Sequence, residues 1–112
     1  MKLLINKNES EGDIQLAIMD SYGRAFCMLN YYEKENHSMF FSNFCVNKVS
    51  RSQGLGTEMI KEVIGLAKRL GCKYLYLEVE ISNEWVYEWY KRLGFVEYKN
   101  NGNRISMFKK LN

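Results

Sequence analysis

Arg51-Ser52-Gln53-Gly54-Leu55-Gly56 has the residue types and spacing of an anion site. It follows an apolar run, Phe40 to Val46, that reads as a strand, and it opens an amphipathic segment, Thr57 to Leu70, that reads as a helix. The first N–H groups of a helix lack backbone partners, and the helix dipole favours negative charge there. Gly54 and Gly56 let the backbone approach a phosphate without an intervening side chain. Arg51 adds a fixed cationic fork. The spacing excludes two other phosphate loops. A P-loop needs four residues between its glycines and then Lys-Ser/Thr, which is absent. A dinucleotide fingerprint needs a third glycine where Met59 stands.

A second constellation follows at Asn83-Glu84-Trp85-Val86-Tyr87-Glu88-Trp89-Tyr90-Lys91-Arg92-Leu93-Gly94-Phe95. Between the two lies the strand-like run Leu75-Tyr76-Leu77-Glu78-Val79. Arg-x-x-Gly-x-Gly, then this strand, then Asn with Tyr seven residues on and a Gly-Phe exit, resembles the GCN5-related N-acetyltransferase (GNAT) family over roughly residues 40–95. The resemblance implies acetyl-CoA as cofactor. It places the pyrophosphate on Arg51, Ser52, Gln53, Gly54, Leu55, Gly56 and Thr57, and a cofactor hydrogen bond on Asn83. Asn83 is also suited to cap the helix that starts at Glu84.

Acetyl transfer to an amine requires a neutral amine, a polarised thioester carbonyl and a proton for the leaving thiolate. A phenol, with a pKa of about 10, is a reasonable acid for a thiolate. Tyr90 matches the family's tyrosine near the cofactor sulfur, and it also lies at the cofactor site. The backbone of Phe44, Cys45 and Val46 would polarise the carbonyl and pair with the pantetheine arm as an added strand does. Many members of the family carry a carboxylate on the strand before the loop. Ser42 and Asn43 stand there in this chain, and neither can deprotonate an ammonium. Glu78 resembles the glutamate base of the branch that acetylates the N-termini of ribosomal proteins, and Glu80, on the same strand face, is the reserve. His37, the only histidine, sits in a polar loop, where surface decoration explains it.

These residues need a scaffold, and the pattern supplies a mixed α/β sheet in one domain over 1–112. Met1 to Asn6 is a candidate first strand. Asp13–Met19, Arg24–Tyr32 and Met39–Val46 read as an antiparallel meander turning through Asp20-Ser21-Tyr22-Gly23 and a polar loop. The helix after Gly54 buries Met59, Val63, Leu66, Ala67 and Leu70 and ends at Gly71. In the next strand, Lys73–Ile81, Leu75, Leu77, Val79 and Ile81 share one face. Strand, helix and strand in this order predict a parallel pair joined by a crossover. The second helix ends near Gly94, and a final hairpin turns at Asn100-Asn101-Gly102-Asn103.

The family usually places helices between its first two strands, where they wall the acceptor site. Lys7 to Gly12 is too short for one. The acceptor groove is therefore expected to be open, or closed by a second copy, and exposure of Phe26, Tyr31 and Tyr32 would favour a homodimer.

Composition sets the remaining bounds. A net charge of +3 suits a polyphosphate cofactor, but no clustered basic face argues for nucleic acid. Three widely spaced cysteines without Cys-x-x-Cys argue against a disulfide frame or a zinc site and suggest a reduced, cytoplasmic protein. Cys45 reads as packing rather than as an acyl carrier, since no histidine is placed to activate it. No apolar run is long enough to span a membrane. The acceptor amine is a protein or peptide, or a small molecule. A CoA-binding regulatory module without turnover is the alternative class.

Overall fold

The computed structural model describes residues 2–8, 13–32, 38–46 and 54–111. Its elements are β1 (Lys2–Asn8), β2 (Asp13–Met19), β3 (Ala25–Tyr32), β4 (Ser38–Val46), α1 (Leu55–Arg69), β5 (Tyr74–Glu80), α2 (Glu84–Arg92), β6 (Val96–Asn100) and β7 (Arg104–Lys110). They form one seven-stranded sheet in the order β1-β2-β3-β4-β5-β7-β6. The first four strands are an antiparallel meander, β4 and β5 run parallel, and β5, β7 and β6 are antiparallel. Residues 9–12 alone separate β1 from β2, so no ordinary helix fits between them.

Strand alternation gives the sheet two unlike faces. Leu16 and Ile18, Cys27 and Leu29, Met39 and Phe41, Leu75, Leu77 and Val79, and Ile105 and Met107 are buried in one core with Met59, Ile60, Val63, Leu66 and Ala67 of α1. Leu70 at the end of α1 is only half-buried. β5 ends one residue earlier than the alternation suggested. Ile81 leaves the buried face for a turn, where it is 38% exposed and its N–H donates to the Asn103 carbonyl at 3.0 Å. Tyr31, expected at an exposed patch, is buried, and its hydroxyl donates to the Leu70 carbonyl at 3.2 Å, tying β3 to the end of α1. Phe26 is half-buried, and the side chain of Tyr32 lies outside the described residues.

Both helices end in the same way. Gly71 (φ 78°) follows α1, with N–H bonds from Gly71 to Lys68 and from Cys72 to Ala67. Gly94 (φ 99°) follows α2, with bonds from Gly94 to Lys91 and from Phe95 to Tyr90. Each is a Schellman closure, which needs a residue in the left-handed region. Lys109 adds a charged cap, its Nζ donating to the Leu93 carbonyl at 3.0 Å.

Candidate functional site

The site is set by a split in the sheet. β4 and β5 pair only from Ser38↔Tyr74 to Phe41↔Leu77, although β4 continues to Val46 and β5 to Glu80. Beyond Phe41 and Leu77 the two strands offer unpaired backbone edges to each other. At the same point β4 is irregular. Between the pairs Phe26↔Cys45 and Met28↔Ser42, the single residue Cys27 of β3 opposes two residues of β4, Asn43 and Phe44. The bulge leaves one of these two β4 residues without a ladder partner, just beyond Phe41, where the pairing to β5 ends.

α1 begins at the same end of the sheet, after the chain leaves β4. Gly54 is its N-cap in the left-handed region (φ 73°, ψ 9°), and among the described residues no side chain caps the helix. No described residue accepts from the N–H groups of the first turn, Leu55 to Thr57, which is where a helix offers donors to an anion. Leu55 is buried, and Gly56 and Thr57 are half-buried. Glu58, the acid of that turn, is exposed and within electrostatic reach of Arg24. Arg51, Ser52 and Gln53 lie outside the described residues, as does His37. Ser42, Asn43, Phe44, Cys45 and Val46 are placed as β4 backbone.

Tyr90 projects from α2 into the core and is 5% exposed. Its ring meets Phe41 edge-on at 6.3 Å, Phe95 at 5.5 Å and Trp89 at 5.1 Å. Phe41 is the last β4 residue paired to β5, so Tyr90 sits beside the point where the split begins. Burial, with a smaller effect from the neighbouring Cys27 thiol, pushes the Tyr90 phenol above its ordinary range. The group stays protonated. The Schellman bond from Phe95 N–H to the Tyr90 carbonyl fixes this residue's backbone at the helix end.

Glu78 is the first β5 residue beyond the pairing, and it lies on the opposite side of the sheet from Tyr90. Leu77 and Val79 point into the helix-covered core, whereas Glu78 and Glu80 are exposed on the open face. Arg104 on β7 reaches Glu78, with Nη1 to Oε2 at 3.5 Å. The two candidate acid–base groups therefore flank the opening from opposite faces. Asn83 is the N-cap of α2, but its side chain makes no capping hydrogen bond, contrary to the expected cap. It is exposed at the start of the helix that carries Tyr90.

The sequence did not single out Arg104 or Phe41. Arg104 is found only once β7 lies beside β5, in the register that sets it opposite Glu80. No group of His, Cys, Asp and Glu among the described residues could hold a metal ion. No helix among them is long and apolar enough to cross a membrane.

The family model described as the acetyltransferase (GNAT) family matches residues 16–95. This chain belongs to the GNAT family. It is 27% identical to the N-alpha-acetyltransferase 30 of Schizosaccharomyces pombe over 77 residues, covering 69% of this chain and 51% of that one. The chain thus spans about half the length of this curated relative, and less of the others. Among solved structures, a GNAT family acetyltransferase from Elizabethkingia anophelis with acetyl-CoA bound superposes with a TM-score of 0.72 at 18% identity, covering 91% of this chain and 78% of that one. The ribosomal-protein-S18-alanine N-acetyltransferase from Escherichia coli gives 0.73 at 21% identity, covering 91% and 71%. These likenesses establish the mixed α/β GNAT fold, and acetyl-CoA is the family's cofactor.

Proposed function

We propose that this chain is an acetyl-CoA-dependent N-acetyltransferase that transfers acetyl directly to a primary amine of a protein, a peptide or a small molecule. The observation that carries this reading is the split between β4 and β5, with Tyr90 beside it on the helix face and Glu78 beside it on the open face. The residues suit the cofactor. The first turn of α1 at Gly54 is an anion site for its pyrophosphate. The free β4 edge from Phe44 to Val46 takes amide groups as an added strand would. Bound acetyl-CoA supplies an activated acetyl thioester.

The chain's own groups do the rest. A β4 peptide at the bulge donates a hydrogen bond where carbonyl charge develops, at a fixed position that costs no reorganisation. Tyr90 is protonated at rest and is the group placed to protonate the departing sulfur. Glu78, reached from the open face, takes the proton of the acceptor ammonium, with Glu80 one strand repeat away. Asn83 stands at the start of α2 to hydrogen-bond the cofactor.

A catalytically silent CoA-binding module is the second reading. Ser42 and Asn43 stand where many GNAT members carry a carboxylate, and Glu78 already has Arg104 as a partner. One experiment separates the two. Acetyl-CoA at a hundredfold excess over its dissociation constant should stabilise the fold by about 2.7 kcal/mol in thermal unfolding. Gly54→Val should abolish that shift. Transfer is then measured against a panel of peptides and amines. No shift with acetyl-CoA defeats both readings, and a shift without transfer leaves the silent module. If Glu78 is the base, Glu78→Gln slows transfer most at low pH, and the loss shrinks as pH approaches the amine's own pKa, where free amine forms unaided.

A further inference from the structure

The open face of the sheet carries a feature that the acid–base reading does not use. Register partners on adjacent strands point to the same side. Phe40, Tyr76, Phe108 and Val96 are successive partners across β4, β5, β7 and β6, so they form one apolar row. Tyr98 closes on this row, with ring centroids 5.9 Å from Tyr76 and 5.7 Å from Phe108. Tyr98 is 53% exposed and Val96 55%, whereas Phe40, Tyr76 and Phe108 are half-buried. Both helices pack on the other face, through Tyr31–Leu70 and Phe41–Tyr90.

The row leads to the opening. Two residues along β5 from Tyr76, about 6.7 Å, the same face presents Glu78, and Glu80 follows. The face is thus graded from aromatic to acidic in the direction of the split.

We infer that this row seats the acceptor, and that the acceptor is an amine carrying an apolar group about 7 Å from its nitrogen. The ammonium meets the carboxylates of Glu78 and Glu80, and the apolar group covers Tyr76, Tyr98 and Phe108. The inference rests on the placement of Glu78 proposed above. Charge complementarity and continuity with the opening favour this occupant. A second copy of the chain seated on the row would press its surface onto Glu78 and Glu80, whose one ion pair among the described residues is that of Glu78 with Arg104.

The test titrates amines calorimetrically onto the full chain saturated with CoA, so that it does not depend on turnover. The probes are propylamine, 3-phenylpropylamine and spermidine. The expected result is 3-phenylpropylamine binding at least tenfold more tightly than propylamine and more tightly than spermidine. Tyr98→Ala should remove that preference and Tyr98→Phe should retain it, with the thermal shift by CoA the same in both. Equal affinities for the two monoamines, or a preference for spermidine, overturn the inference. So does a dimer by light scattering that Tyr98→Ala dissociates while amine affinities stay unchanged. A Tyr98-dependent preference in a protein that acetylates nothing upholds the seat and defeats only the enzyme reading.

Discussion

The two faces of β5 obey opposite rules. Leu75, Leu77 and Val79 are buried in the core on the helix-covered face, where close packing fixes each side chain. Tyr74, Tyr76, Glu78 and Glu80 alternate with them on the open face, in contact with other rings, Arg104 or solvent. One strand thus carries a buried sequence and, on the proposed reading, a functional one, interleaved at a period of two. The lesson is that the packed face and the open face of this scaffold can vary independently at alternate positions. The cofactor side cannot vary so freely, because Tyr90 belongs to the buried face.

Tyr90 is where the comparison is sharpest, since it is a core residue that the proposed function also makes the acid. Tyr90→Phe should keep its ring packing and cofactor binding while lowering turnover by roughly 10²–10⁴-fold. Wild-type turnover in that variant would return Tyr90 to packing alone. Leu77→Ala should destabilise the fold by about 2–5 kcal/mol in denaturant unfolding, as for other buried leucines. A loss near zero would mean that the two faces are not distinct.

The covered face also has a pH signature. Burial pushes the Cys27 thiol up to about 12, from an ordinary 9.0. The folded state therefore keeps a proton that the unfolded chain releases. The stability this supplies is complete below pH 9 and is lost as pH rises from there towards 12, at about 1.4 kcal/mol per pH unit. Tyr90, shifted in the same direction, steepens the loss above pH 10. Thermal unfolding between pH 8 and 11 measures this slope, and Cys27→Ala should flatten its first part. The smallest effect belongs to the open face. Tyr98→Ala, at an exposed position, should change stability by less than about 0.5 kcal/mol.

Much of this was legible in the sequence because it is written in local patterns. Alternation gave the meander, a three-and-four spacing gave α1, and Gly71 and Asn-Gly marked the turns. Gly94-Phe95 was legible as a motif, and its reason is now physical: Phe95 closes the helix onto Tyr90 in both backbone and ring. The remainder depends on register between distant strands. The β4 bulge at Asn43 and Phe44 exists only relative to Cys27, and the Glu78–Arg104 pair only once β7 lies beside β5. Tyr31 was misread as exposed because aromatic content cannot tell which face a strand turns to the helix. Ile81 was misread because alternation continues in the letters after the strand has ended.

The buried thiols have a further practical meaning. Cys27 and Cys72 are free and shielded from solvent, and Cys27 neighbours Tyr90. A thiol reagent in the buffer can reach either thiol only when the packing over it opens. In a Cys45→Ser background the two labelling rates become separate clocks, one at β3 and one just past α1, that time how often the molecule breathes.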